Sequence, residues 1–113
     1  LRAIEFHRRR PIFHGLGSLI FHSRTQIGHY PPEVWESAIV HCEFADGPTR
    51  IEIVPIVLNE RGDDPARQNE TRGRPRIARG ADAQRILGRL ADISAAMGTR
   101  IAIRNERGWI EPA

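Results

Sequence analysis

Five histidines, His7, His14, His22, His29 and His41, are the residues whose type could do metal or acid–base chemistry. A metal site needs side chains that converge. On an extended strand an i to i+7 step does not bring ligands together, and the sequence has neither a His-x-x-x-His on a helix nor a Cys-x-x-Cys. Ser18, between Gly17 and the apolar run Leu19-Ile20-Phe21, faintly echoes a nucleophile elbow. The full Gly-x-Ser-x-Gly pattern is missing, and no Asp and His follow it in a triad order. Gly15 and Gly17 could let a phosphate approach the backbone, but no Lys stands near them and no well-capped helix follows. A tight strand-to-loop turn accounts for them better. Glu36, Glu43 and Glu52 flank a hairpin, and spacing alone does not pair them as acid and base.

The elements that must carry these residues follow from periodicity. Leu1 to His7 alternates as a short strand, Arg8-Arg9-Arg10 is a solvated turn, and Pro11, lacking an N–H, suits the first position of the next strand, Ile12 to His14. Ser23 to Pro32 has no periodicity and reads as a surface loop, with Tyr30 and Trp35 packing it onto the core. The sequence predicts a hairpin from Glu36–Phe44 and Thr49–Leu58, turning at Asp46-Gly47 within a loop Ala45 to Pro48. Its register pairs Phe44 with Thr49, Cys42 with Ile51 and Val40 with Ile53 on an apolar face. On the other face Glu43 meets Arg50 and His41 meets Glu52, which makes His41 a surface residue beside a carboxylate. Residues 59–79 are polar, with Ile77 their one large apolar member, so the expectation is a functional loop or a flexible linker. Ala83, Ile86, Leu87, Leu90, Ile93 and Met97 recur at steps of three and four, predicting an amphipathic helix over Ala81 to Met97, with Gly98 as a left-handed cap. On it Arg85 and Arg89 repel mildly, while Asp82–Arg85 and Arg89–Asp92 compensate. A last hairpin, Thr99–Arg104 and Trp109–Glu111, turns around Asn105 to Gly108.

The order of strands, loop, strands, long loop, helix and strands is an α+β layout. One C-terminal amphipathic helix covers a single face of a mostly antiparallel sheet. At 113 residues and 40% apolar composition the chain has material for one modest core. All 17 basic residues are Arg against 14 acids, giving a net charge of +3. They are scattered without interleaved aromatics, so the expectation is no nucleic-acid partner. No stretch approaches the roughly 18 apolar residues of a membrane span, and no basic-then-apolar leader opens the sequence. Cys42 lies in an alternating apolar run and is expected as a buried thiol. Position 1 is Leu, and the chain is read as a trimmed product or a fragment.

Arg10 to Phe21, RPIFHGLGSLIF, resembles the closing motif "pifYsLGNFif" of the CapA-type capsule, or poly-γ-glutamate, biosynthesis proteins. The resemblance takes in Ile4-Glu5 before it and the Trp35 to Pro55 hairpin, ending in a run like "l.Pv" at Ile53-Val54-Pro55-Ile56-Val57. Gly73-Arg74-Pro75-Arg76-Ile77-Ala78 is similar to the "G-x-P-x-x-A" step before the family's last helix. Ile93-Ser94 and Gly98-Thr99 look like its "lS...gt". His7 and His14 stand where the family has Tyr, and Ser18 where it has Asn.

What the resemblance implies is the C-terminal part of a calcineurin-like, metallophosphatase-type β-sandwich domain. The divalent-metal ligands, ending in a His-x-His, would lie upstream of Leu1, so no cofactor or metal is expected in this segment and it would not be catalytic alone. His14, Gly15, Gly17 and Ser18 would sit at the active-site rim of a parent that is a metal-dependent hydrolase or transferase. The rest of the parent chain would be the partner, together with capsule or poly-γ-glutamate machinery at the membrane of the bacterial cell envelope. The alternative, from the residues alone, is a small non-catalytic α+β binding or assembly module. The segments to test are 1–22, 36–58, 59–79, 81–97 and 99–111.

Overall fold

The computed structural model describes residues 1–45 and 50–111. Strands β1 (Ile4–His7) and β2 (Arg10–Phe13) form an antiparallel hairpin of their own, with His7 opposite Arg10 and Ile4 opposite Phe13. The ladder runs on past the strand ends, because the His14 N–H donates to Ala3 O at 3.3 Å and the Arg2 N–H to Gly15 O at 2.7 Å. The turn is shorter than expected. Only Arg8 and Arg9 lie between the strands, both in the left-handed region at φ 49° and 67°.

Strands β3 (Glu36–Glu43) and β4 (Arg50–Val57) pair antiparallel in the predicted register, Cys42 with Ile51, Val40 with Ile53, Glu43 with Arg50 and His41 with Glu52. Alternation sends Val40, Cys42, Ile51 and Ile53 into the core, while His41, Glu43 and Arg50 face solvent. The predicted Asp46-Gly47 turn and the Phe44–Thr49 pair fall outside the described residues. Cys42 is half-buried rather than buried, and that partial burial pushes its thiol pKa up.

The far edge of β4 is shared. Strand β5 (Arg76–Ile77) pairs with its C-terminal end, Ile56 opposite Ile77. Strands β6 (Ala102–Arg104) and β7 (Arg107–Ile110) extend the sheet to the order β3-β4-β7-β6. The last turn is also tighter than predicted, with only Asn105 and Glu106 between Arg104 and Arg107. Gly108 belongs to the strand, not the turn. A Cβ there would come within 3.1 Å of the Ile101 side chain and 3.2 Å of Ile53, so a larger residue would push these core side chains back by a few tenths of an ångström.

Helix α2 (Gly80–Ala95) buries Ala83, Ile86, Leu87 and Leu90. Leu87 and Leu90 join Ile4, Ile51, Ile53 and Ile110 in the main core. Each fully buried side chain of that kind contributes about 1.5–3 kcal/mol. Fully buried Ser94 accepts the Ile4 N–H on Oγ at 3.0 Å, which ties β1 to the helix. The helix stops two residues sooner than the apolar spacing predicts. Met97 lies past its end and is exposed, and Gly98 at φ 82° makes the left-handed cap, with the Thr99 N–H donating to Ser94 O at 3.0 Å.

The polar segment 59–79 is neither linker nor structureless loop. It holds a 3-10 turn at Pro65–Arg67, helix α1 (Gln68–Thr71) and β5, so the described residues include two α-helices where one was expected. Asp64 caps the turn by accepting the Ala66 N–H at 3.0 Å. Thr71 Oγ1 receives the Asp63 N–H at 3.2 Å and donates to Arg67 O at 2.9 Å. Buried Arg72 donates to Glu60 O and to Thr25 O, each at 2.6 Å, and stacks over the Trp35 ring. Two loops are thereby joined through one guanidinium. The coarse class is α+β with antiparallel sheets, and no helix among the described residues is long and apolar enough to cross a membrane.

Candidate functional site

After β2 the chain turns at Gly15–Ser18 and lies against the start of β3. Leu16 O accepts the Ala38 N–H at 2.9 Å, so the turn caps the outer edge of β3. Gly17 sits at φ +87°, where a Cβ would stand 2.6 Å from Ser37 Cβ and 3.0 Å from Glu36 O. Glycine is required there on two counts, backbone conformation and space. Gly15 has more latitude, because its nearest neighbour, the Arg2 side chain, would be at 3.5 Å.

Beyond the turn Ser18, Leu19 and Ile20 are exposed, the two apolar residues by 58% and 68%. Phe21 dives back in, edge-on to Trp35 at 4.9 Å and Tyr30 at 5.6 Å. Its N–H donates to Gly73 O at 3.1 Å, and a Cβ on Gly73 would fall 1.8 Å from Phe21 O. The segment is held at Gly17 by β3 and at Phe21 by the long loop. Between these anchors its apolar side chains face solvent.

Of the predicted site residues, Gly15, Gly17 and Ser18 share this turn. His14 opens it but turns to the hairpin, with Nε2 2.7 Å from Glu5 Oε2. A divalent ion needs a third and fourth ligand. Among the described residues no three His, Cys, Asp or Glu side chains form a group that could hold one, so these residues do not fit the metal that the resemblance implies for the parent. The nucleophile reading of Ser18 finds no support in its neighbours, since no His side chain hydrogen-bonds to it among the described residues.

Under the turn lies a cluster that sequence reasoning missed. Glu36 is buried, and its Oε1 accepts from Arg85 Nε at 2.8 Å while its Oε2 lies 3.6 Å from Arg89 Nη2. The hydrogen bond to Glu36, then that to Asp82, raises the Arg85 pKa, so this guanidinium stays charged. The Asp82–Arg85 pair forms as predicted, at 2.9 Å. Arg89 goes to Glu36 instead of Asp92. The sequence signal is only the i,i+4 spacing of Arg85 and Arg89, which by itself reads as a repulsion; the acid that unites them comes from the facing strand. Glu36 Oε2 and Arg89 Nε and Nη2 are buried without a hydrogen-bond partner.

The outer face of the sheet carries a shallow hollow lined by His41, Glu43, Arg50, Glu52 and Trp109. Arg50 and Arg104 stack over Trp109 at 4.9 and 5.7 Å from the ring centroid. Their charges are met by Glu111, 3.8 and 2.9 Å away, and Arg107 lies 3.7 Å from Glu52. These charges balance within the face, so it has no surplus charge with which to draw an ion. No family model matches the chain, and no curated protein matches it.

Proposed function

We propose that this chain is the C-terminal portion of a CapA-type capsule or poly-γ-glutamate biosynthesis protein, completing a calcineurin-like, metallophosphatase-type β-sandwich. In this reading the parent is a metal-dependent hydrolase or transferase of the bacterial cell envelope. Its metal ligands come from upstream chain, and His14, Gly15, Gly17 and Ser18 form part of the active-site rim. The partners are the rest of the parent chain and the capsule machinery. A fold of this kind does not by itself define a reaction, and the substrate class follows from the resemblance alone.

The observation that carries the reading is the state of the signature segment. Gly17 is required by its contact with Ser37, yet Leu19 and Ile20 beside it, and Ile12 on β2, are left exposed. A sequence that fixes a turn tightly and leaves adjacent apolar side chains bare is one that continues into further packing. Replacement of the family's Asn by Ser18 shortens the side chain and removes an amide, so a hydrogen bond from that position would be weaker in this member.

The test begins with the coding sequence before Leu1. The expected result is an in-frame extension bearing Asp, Asn and His and ending in His-x-His, with the extended protein binding a divalent ion by calorimetry and residues 1–113 alone binding none. A start codon directly before Leu1 would sink the reading and leave a small assembly module, which a discrete oligomer in light scattering would identify.

A further inference from the structure

Two hairpin turns in this chain share one backbone and differ in what their side chains do. Arg8-Arg9 and Asn105-Glu106 each connect two strands with two residues, and all four residues have positive φ, at 49°, 67°, 50° and 57°. Two-residue turns of this kind favour Asn-Gly, because other side chains crowd the backbone in the left-handed region. Asn105 meets that preference. Glu106 does not, but its carboxylate has a task within the fold, accepting the Gly80 N–H at the start of α2 at 2.7 Å. Arg8 and Arg9 break the preference at both positions. Among the described residues neither makes a side-chain hydrogen bond or an ion pair, and Arg10 and His7 beside them are exposed as well. The strain is retained with no side-chain contact among the described residues to account for it, and three consecutive arginines stand exposed at and beside the tip. A local rule broken without an internal compensation points to a contact outside.

We propose that the Arg8-Arg9-Arg10 turn is an electrostatic contact for an anionic lipid surface, with the phosphates of the headgroups as its ligands. Guanidinium groups bind phosphate through paired N–H donors, and a basic cluster near an anionic bilayer gains affinity with each residue. Single-stranded nucleic acid offers the same phosphates but needs aromatic faces beside the arginines to stack its bases. The aromatic residues of this hairpin, Phe6 and Phe13, pack against the core instead. A turn presents one convex point of contact, which suits a flat array of headgroups better than a strand that must be tracked along a groove. The inference stands on the two turns and does not depend on the proposed parent.

The experiment is co-sedimentation of the whole protein, as its gene encodes it, with phosphatidylcholine vesicles containing or lacking phosphatidylglycerol, for the natural sequence and for R8N/R9G. The natural protein should bind the phosphatidylglycerol vesicles, release from them at high salt, and ignore phosphatidylcholine alone. R8N/R9G should bind about thirty-fold more weakly, two arginines' worth of surface attraction, while its unfolding midpoint rises because Asn-Gly relieves the turn. R8K/R9K, which keeps the charge, should retain most of the binding. Equal binding by R8N/R9G, binding to neutral vesicles, no binding at all, or tighter binding to a single-stranded oligonucleotide than to the vesicles would each overturn the assignment.

Discussion

β1–β2 and β3–β4 are both antiparallel hairpins, yet they differ in how much of their surface the chain itself satisfies. β3–β4 has its inner face covered by α2, and its outer charges are set against opposite charges on β4 and β7. β1–β2 is joined to the rest by Ile4, through Ser94 and the core, by Phe6 and Phe13 packed against that core, and by the Gly15–Gly17 turn. Its remaining surface shows Ile12, an arginine turn without partners among the described residues, and the bare Leu19-Ile20 that follows. A two-stranded hairpin alone is marginally stable in water. The contrast teaches that one region is finished by its own contacts, while the other leaves apolar and basic side chains exposed, which is the surface the proposed parent would cover.

The largest expected effect falls in the finished region. Glu36→Gln keeps the volume but leaves Arg85 and Arg89 without their shared counter-charge, and unfolding in urea should show a loss of about 2 kcal/mol. That lies below the full cost of breaking a buried pair because Arg85 is half exposed. An unchanged midpoint would mean that the cluster does not hold α2 to β3.

At the other extreme stands the exposed pair. Leu19→Ser together with Ile20→Ser should change the stability of residues 1–113 by no more than about 0.5 kcal/mol, since neither side chain is buried here. A loss approaching that of a core leucine, about 2–5 kcal/mol, would show that the two residues are already packed and would erase the contrast.

The finished region was also the more legible one. Alternation over 40–43 and 50–53 fixes which residues face each other, because slipping one place would put Ile51 and Ile53 in water. The helix was read from its apolar stripe and missed only at the end, where Met97 continues the spacing but Gly98 closes the turn before it can be buried. Residues 59–79 hold more order than their polar composition predicts, for a physical reason. Their order depends on Arg72 reaching carbonyls at Thr25 and Glu60, distant in sequence, and buried arginine leaves no periodic trace. The candidate turn was legible as a glycine turn, since Gly17 has no room for a side chain. The Glu36 cluster beneath it was not, because the helix spacing of Arg85 and Arg89 gives a repulsion until the facing strand supplies the acid.

Amide hydrogen exchange, measured on residues 1–113 and on the longer parent proposed above, tests the central claim most directly. The account predicts that β3–β4 amides are strongly protected in both forms, while protection in β1–β2 and through Ser18–Phe21 is weak in the shorter chain and rises by orders of magnitude in the longer one. Equal and strong protection of both hairpins in residues 1–113, unaltered by extension, would contradict it.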